Sequence, residues 1–290
     1  MKYSKLLRNT RGGCTLKSTF IFYGKFVFAL ILCLSSFHPA ELYAHDNKDI
    51  RPWVRVPILL YHRFGPTVAD SMTVTTPVFE SHLKYLKDNR YTVIPLRQLV
   101  NFYLGKGSPP PPKSVVIAAD DGHKSVYTVM LPLIKKYRFP VTLFIYPSAI
   151  SNASYAMTWG QLGEIRKTGL CDFQSHTYWH PNFKKERKKL SPSEYEKLVD
   201  MQLKRSKEKL ERELRTKVDM LAWPFGIYDD SLEKRAAAEG YVAAFTIERR
   251  HTSPSDNIMA LPRYIMINAD KANVFGKILE GNSPRRNIIY

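Results

Sequence analysis

The chain has 290 residues, 44% hydrophobic and 24% charged, a globular balance that excludes disorder as its organising state and gives one domain enough apolar surface for a sizeable core. Its net charge of +18 favours acidic or phosphate-bearing surroundings such as an anionic envelope surface touched peripherally, against the reading of a plain charged face. No nucleic-acid partner is expected: the Lys and Arg residues of 184–217 are mixed with seven acids on a helical pattern, without an aromatic stacking platform or zinc-finger spacing.

At the start of the chain, Lys2, Lys5, Arg8, Arg11, Lys17 and Lys25 appear with no acid before Glu41, and an apolar run occupies 26–34. This is the pattern of an export signal, too short in its apolar core to span a bilayer comfortably. Ala44 offers a small residue for cleavage, so 1–44 is predicted to be a signal peptide, with an uncleaved anchor counted over 20–37 as the alternative. The expected location is periplasmic or extracellular. Cys14 and Cys33 fall in this leader, which leaves Cys171 alone and predicts no internal disulfide. Residues 45–53 read as a polar linker and 54–290 as one domain.

Within that domain 56–62 reads as a buried strand ending in a histidine, and apolar runs recur at 91–94, 114–119, 141–146, 171–175, 219–223, 241–247 and 261–267. Helical patterns lie between most of them, at 77–88, 96–103, 124–137, 158–168, 191–214 and 230–239. Ser191-Pro-Ser-Glu194 has the form of a capping box, and Gly169 and Gly240 are placed to end helices in a left-handed conformation. The charged stretch 184–217 reads as a long solvated helix, and the prolines 109–112 as an extended lead into the next strand. Strand and helix in alternation predict an α/β fold with a parallel sheet, open or closed into a barrel.

Two motifs carry chemistry. The strand at 114–119 runs into Asp120-Asp121-Gly122, which sets two adjacent carboxylates at a strand's C-terminal end, where barrel enzymes build their sites. Neighbouring carboxylates repel when both are ionised and are tolerated in water or beside a cation; the bland alternative is an Asp-Gly turn. His176-Thr-Tyr-Trp-His180-Pro181 follows the strand at 171–175 in the same way. Two imidazoles with a carboxylate form a ligand set for zinc or a similar divalent ion.

These residues resemble the polysaccharide deacetylases of carbohydrate esterase family 4, over roughly residues 54–268. Asp-Asp-Gly, His-Thr-x-x-His-Pro and Trp223-Pro224-Phe225-Gly226 occur in that family's order and approximate spacing. The resemblance implies a distorted (β/α) barrel with about seven parallel strands. It also implies Asp120 as general base, Asp121, His176 and His180 as metal ligands, and the backbone N–H of Phe225 as an oxyanion donor.

The chain departs from the fuller pattern in two places. Ala222 stands where many members carry Arg, and no histidine follows His251 to serve as the general acid. His62 is the candidate acid, against a structural histidine at a strand end, because the poly-N-acetylglucosamine deacetylase branch looks similar, with an early Tyr-His. Arg263 is the candidate cation orienting Asp120, against a plain surface salt bridge. Trp179 and Trp223, each inside a motif, are candidates to stack on sugar rings, against a place in the core. The expectation is a hydrolase that removes acetyl groups from N-acetylglucosamine residues of a polysaccharide. The divalent metal would be zinc, with cobalt, nickel or manganese able to share the set. A poly-β-1,6-N-acetylglucosamine polymer is favoured over peptidoglycan and chitooligosaccharides. The competing expectation is an inactive sugar-binding or scaffold protein of the same fold.

Overall fold

The continuous apolar runs fold as strands buried on both faces, which is what a parallel sheet flanked by helices requires. In the computed structural model residues 54–282 are described; the predicted leader, the linker and residues 283–290 lie outside them. In chain order the first elements are β1 (Ile58–Tyr61), β2 (Arg63–Gly65), β3 (Thr73–Thr75), α1 (Thr76–Asp88), β4 (Thr92–Val93), α2 (Leu96–Tyr103) and β5 (Ser114–Asp120). There follow α3 (Leu131–Tyr137), β6 (Val141–Ile145), α4 (Trp159–Lys167), β7 (Cys171–Ser175), α5 (Phe183–Lys189) and α6 (Pro192–Leu214). The last are β8 (Met220–Ala222), α7 (Asp230–Ala238), β9 (Ala243–Phe245), β10 (Tyr264–Ile265) and α8 (Ala272–Leu279).

Seven strands run parallel in the order β10-β1-β5-β6-β7-β8-β9, with β4 added beside β5. The segment after β9 brings the two edges together. Leu261 pairs with Phe245 of β9, and three residues later Tyr264 pairs with Leu59 of β1, so one stretch of chain touches both ends of the sheet. Arg263 lies in that seam. The result is the distorted (β/α) barrel expected. One core cluster gathers Leu59, Val115, Ile117, Leu143 and Phe173 with α1, α3, α4 and α6; a second gathers Ile58, Val116, Ala118, Phe144 and Phe245 with α2. The alternation along β1 and β5 between the two clusters is the period of two that a pleated strand imposes.

Several local signals act as read. Ser191 and Glu194 cap α6 reciprocally, and Gly169 (φ 69°) and Gly240 (φ 83°) follow the ends of α4 and α7. Two helices differ from expectation. The pattern at 124–137 is a π-helical turn over Val126–Met130 followed by α3, because Pro132 has no N–H to give and its ring crowds the carbonyl four residues back. The charged stretch 184–217 is two helices rather than one, broken where Pro192 needs a fresh start, and α6 is not a solvated rod. It buries Tyr195, Val199, Gln202, Leu203, Ser206, Leu210 and Leu214, a stripe at spacings of three and four. The short strands β2 and β3 and helices α5 and α8 carry too few residues or too mixed a pattern for periodicity to single them out.

Candidate active site

Each chemistry-bearing motif leaves the C-terminal end of a strand, so barrel closure carries them to one mouth. Asp120 ends β5; His176 follows β7; Phe225 follows β8; His62 follows β1. They border a cavity of about 280 Å³ with Arg63, Tyr146 and Ile247. A larger cavity of about 460 Å³ lies at the N-terminal ends of β1 and β5, lined by the proline run and Tyr91, and brings no comparable acid–base cluster together.

Asp121, His176 and His180 each present one ligand atom, and these atoms lie within 4.8 Å of one another. The His176 ring has Nδ1 at 2.8 Å from the carbonyl oxygen of Ala222, which can only accept, so Nδ1 carries the proton and Nε2 keeps its lone pair. That Nε2 lies 3.6 Å from Asp120 and 3.7 Å from Asp121. Burial pushes the His176 imidazole down to about 4, against the pull of Asp120. Burial and then His176 push His180 down to about 3. Both rings are therefore neutral near pH 7 and offer lone pairs. Neutral imidazoles and a carboxylate at this spacing, one ring oriented by a carbonyl, fit a divalent ion such as zinc.

Asp120 is almost fully buried and faces Arg263, which is fully buried. The guanidinium donates from Nη1 to Oδ1 at 2.8 Å and from Nη2 to Oδ2 at 2.9 Å, while its Nε donates to the Thr246 carbonyl at 2.9 Å. Burial alone would raise the Asp120 carboxyl; Arg263, with smaller help from His176 and His62, outweighs it and holds the group below the ordinary carboxylate range. The surface-salt-bridge alternative for Arg263 is thereby excluded. The position of Ala222 also acquires a reason. A buried cation already reaches Asp120 from the closing segment, and the Ala222 carbonyl orients His176.

His62 is part-buried at the cavity, and its Nδ1 is buried with no hydrogen-bond partner. Tyr146 lies against the His180 ring at 5.4 Å, and its hydroxyl pairs with that of Tyr155 at 2.6 Å. Burial first, then the Tyr155 bond and Asp121, raise the Tyr146 hydroxyl well above its usual value and keep it protonated.

The backbone here is held in rarely populated conformations. Asp121 (φ 74°), Thr177 (φ 63°), His180 (φ 64°) and Phe225 (φ 55°) are left-handed without being glycine, each at a cost on the order of 1–3 kcal/mol. Such strain persists only where surroundings impose it. Gly226 supplies one imposed position: at φ 66° a Cβ would meet Ile247 Cγ1 at 2.5 Å, so only glycine lets the third motif approach the cavity wall. Phe225 packs its ring 4.6 Å from that of His180.

The two tryptophans part company. Trp223 is fully buried, donates its indole N–H to the Met259 carbonyl at 2.8 Å and packs edge-on to Phe183. The expectation that it stacks on sugar is corrected, because a ring without exposed face has none to offer. Trp179 is 44% exposed and faces solvent, so its ring is available outside the cavity. Sequence reasoning missed Arg63, which reaches the cavity from β2 and pairs with Asp70, and Gln202, whose only local signal was a place on a charged helix.

Residues 107–244 match the family model for polysaccharide deacetylase. A poly-beta-1,6-N-acetyl-D-glucosamine N-deacetylase of Staphylococcus epidermidis is 28% identical over 208 residues, which are 70% of this chain and 71% of that protein. Among solved structures, the Streptococcus pyogenes deacetylase PplD in complex with acetate superposes with a TM-score of 0.70 at 24% identity, covering 80% of this chain and 99% of that one. IcaB from Ammonifex degensii superposes with a TM-score of 0.69 at 22% identity, covering 79% and 97%. At those identities the two structures speak for the shared barrel. Motif order, barrel topology and the sequence matches agree, and over residues 107–244 the chain is similar to the polysaccharide deacetylases.

Proposed function

We propose that this protein is a metal-dependent hydrolase that removes acetyl groups from N-acetylglucosamine residues of a poly-β-1,6-N-acetylglucosamine polysaccharide, outside the cytoplasm. One observation carries the reading: Asp121, His176 and His180 converge within 4.8 Å, and a second carboxylate, Asp120, stands beside them in its own ion pair. The polymer follows the Staphylococcus epidermidis relative and the Tyr61-His62 strand end. Export follows the basic and apolar order of 1–34.

Asp121, His176 and His180 would hold the metal, which when bound polarises the acetamide carbonyl and acidifies water. Zinc is the ion we infer. Asp120, ionised and aligned by Arg263, takes a proton from the water that attacks the carbonyl carbon. The backbone N–H of Phe225 donates to the oxyanion of the tetrahedral intermediate, a contact typically worth about 3 kcal/mol. As the C–N bond breaks, His62 gives its proton to the departing amine; without it the intermediate returns to substrate. Acetate and a free glucosamine amine result. Tyr146 narrows the mouth, and exposed Trp179 offers a face to neighbouring sugars of the chain.

The test is acetate release from β-1,6-linked N-acetylglucosamine oligomers by protein stripped with chelator and reloaded with zinc, cobalt, nickel or manganese. Release should require metal and fall by about 10²–10⁴ in Asp120→Asn. Undiminished release after stripping would remove metal from the mechanism. Oligomer binding without release by the reloaded wild type would favour the scaffold alternative, and faster release from β-1,4 oligomers or peptidoglycan would reassign the polymer.

A further inference from the structure

The loop between the two histidines contains the left-handed residues Thr177 and His180, and the hydroxyls of Ser175 and Thr177 hold only part of that shape. The rest of the restraint comes from α6. Gln202 and Ser206, four residues apart and both fully buried, interrupt its apolar stripe and face β7 together. Gln202 Oε1 accepts from the backbone N–H of Tyr178 at 3.0 Å and of Trp179 at 2.9 Å. Ser206 Oγ pairs with Ser175 Oγ at 2.8 Å, and Ser175 Oγ accepts the N–H of Thr177 at 3.2 Å. The N–H of His180 goes to Thr177 Oγ1 at 3.2 Å. All four backbone N–H groups from Thr177 to His180 thus end on side-chain oxygens, and one oxygen of Gln202 takes two of them.

We propose that Gln202 is a positioning residue: its buried carboxamide oxygen fixes the loop from α6 and so sets the spacing of His176 and His180 before any ion arrives. This rests on the metal-dependent reading of the site. A glutamine in the middle of a buried stripe is costly unless bonded; here Nε2 donates to Met201 Sδ at 3.8 Å, and both bonds that the oxygen accepts come from the loop between the two histidines. Groups that orient metal ligands change affinity by about 10–100-fold when lost.

The experiment compares wild type with Gln202→Met, which keeps the side chain's length but removes the acceptor, and Gln202→Glu, which keeps an acceptor oxygen. In metal-free protein, amide exchange at Tyr178 and Trp179 should be at least about tenfold faster in Gln202→Met than in wild type. Zinc affinity, read by competition with a chromogenic chelator, should fall by about 10–100-fold in the same variant and recover largely in Gln202→Glu. At saturating zinc the Met variant should lose kcat with KM unchanged. Equal exchange and equal zinc affinity in a folded Gln202→Met would overturn the proposal. If that variant does not fold, the Glu variant decides: retained affinity supports the acceptor role and lost affinity overturns it. If wild type takes up no ion while amide exchange still responds to Gln202→Met, the loop restraint stands and the metal reading is what fails.

Discussion

Replacing Arg263 with methionine removes a buried guanidinium while keeping an apolar stem against Phe144, whose ring centroid lies 5.2 Å from the guanidinium carbon. Both partners of the Asp120 pair are almost without exposure, and both terminal guanidinium nitrogens donate to the carboxylate. Removing one partner of such a pair costs about 3–5 kcal/mol, because the other is left as an uncompensated buried charge; an exposed pair costs about 0–1 kcal/mol. Urea unfolding at pH 7 should show the larger loss in Arg263→Met. Combining it with Asp120→Asn should restore much of the stability, since the double variant buries no lone charge. The pH dependence should also change sign. In wild type the depressed Asp120 carboxyl contributes stability that is full above its unfolded value near 3.8 and is lost as pH falls below it. Without Arg263 burial dominates and raises the group above the unfolded value. The folded state then binds the extra proton, and acidification from neutrality through the raised value stabilises relative to wild type. The acid limb of kcat/KM should move upward with it. A loss under about 1 kcal/mol, or a double variant no more stable than the single one, would refute the buried-pair argument.

Two further outcomes are expected. His62→Ala should lower kcat by about 10²–10⁴ while leaving zinc affinity at the wild-type value, and an unchanged rate would eliminate it as the acid. His82 is buried, donates from Nε2 to the Asp270 carbonyl at 2.6 Å and so takes the Tyr61 hydroxyl at Nδ1; burial pushes it down to about 4, against bonding to Asp270. The unfolded chain therefore binds its proton first, and up to about 3 kcal/mol of stability should be lost as pH falls from 6.5 to 4. Urea midpoints across that range should be flatter for His82→Gln, and equal slopes would show that this group does not titrate as described.

The buried strands were legible because strands covered on both faces need unbroken apolar runs. The run at 171–175 is β7 to the residue, and the alternation of such runs with helices implied a parallel sheet. The ends of those runs then located Asp120, Asp121, His176 and His180, since parallel strands in a barrel deliver their C-terminal ends to one face. Capping at Ser191 and the turns at Gly169 and Gly240 were equally local and equally readable.

What the linear chain determined was everything set by neighbours a few positions apart: element type, strand ends, caps, and the carboxylates and imidazoles of two motifs. Only tertiary structure decided that Arg263 meets Asp120 across 143 positions, that Trp223 is enclosed while Trp179 is not, and that Gln202 on a charged helix holds the loop between two histidines. The physical reason is range. Periodicity and turn chemistry act within one or two turns of backbone. A buried charge or carboxamide finds its partner through barrel closure and helix packing, which bring together residues whose local patterns carry no sign of each other.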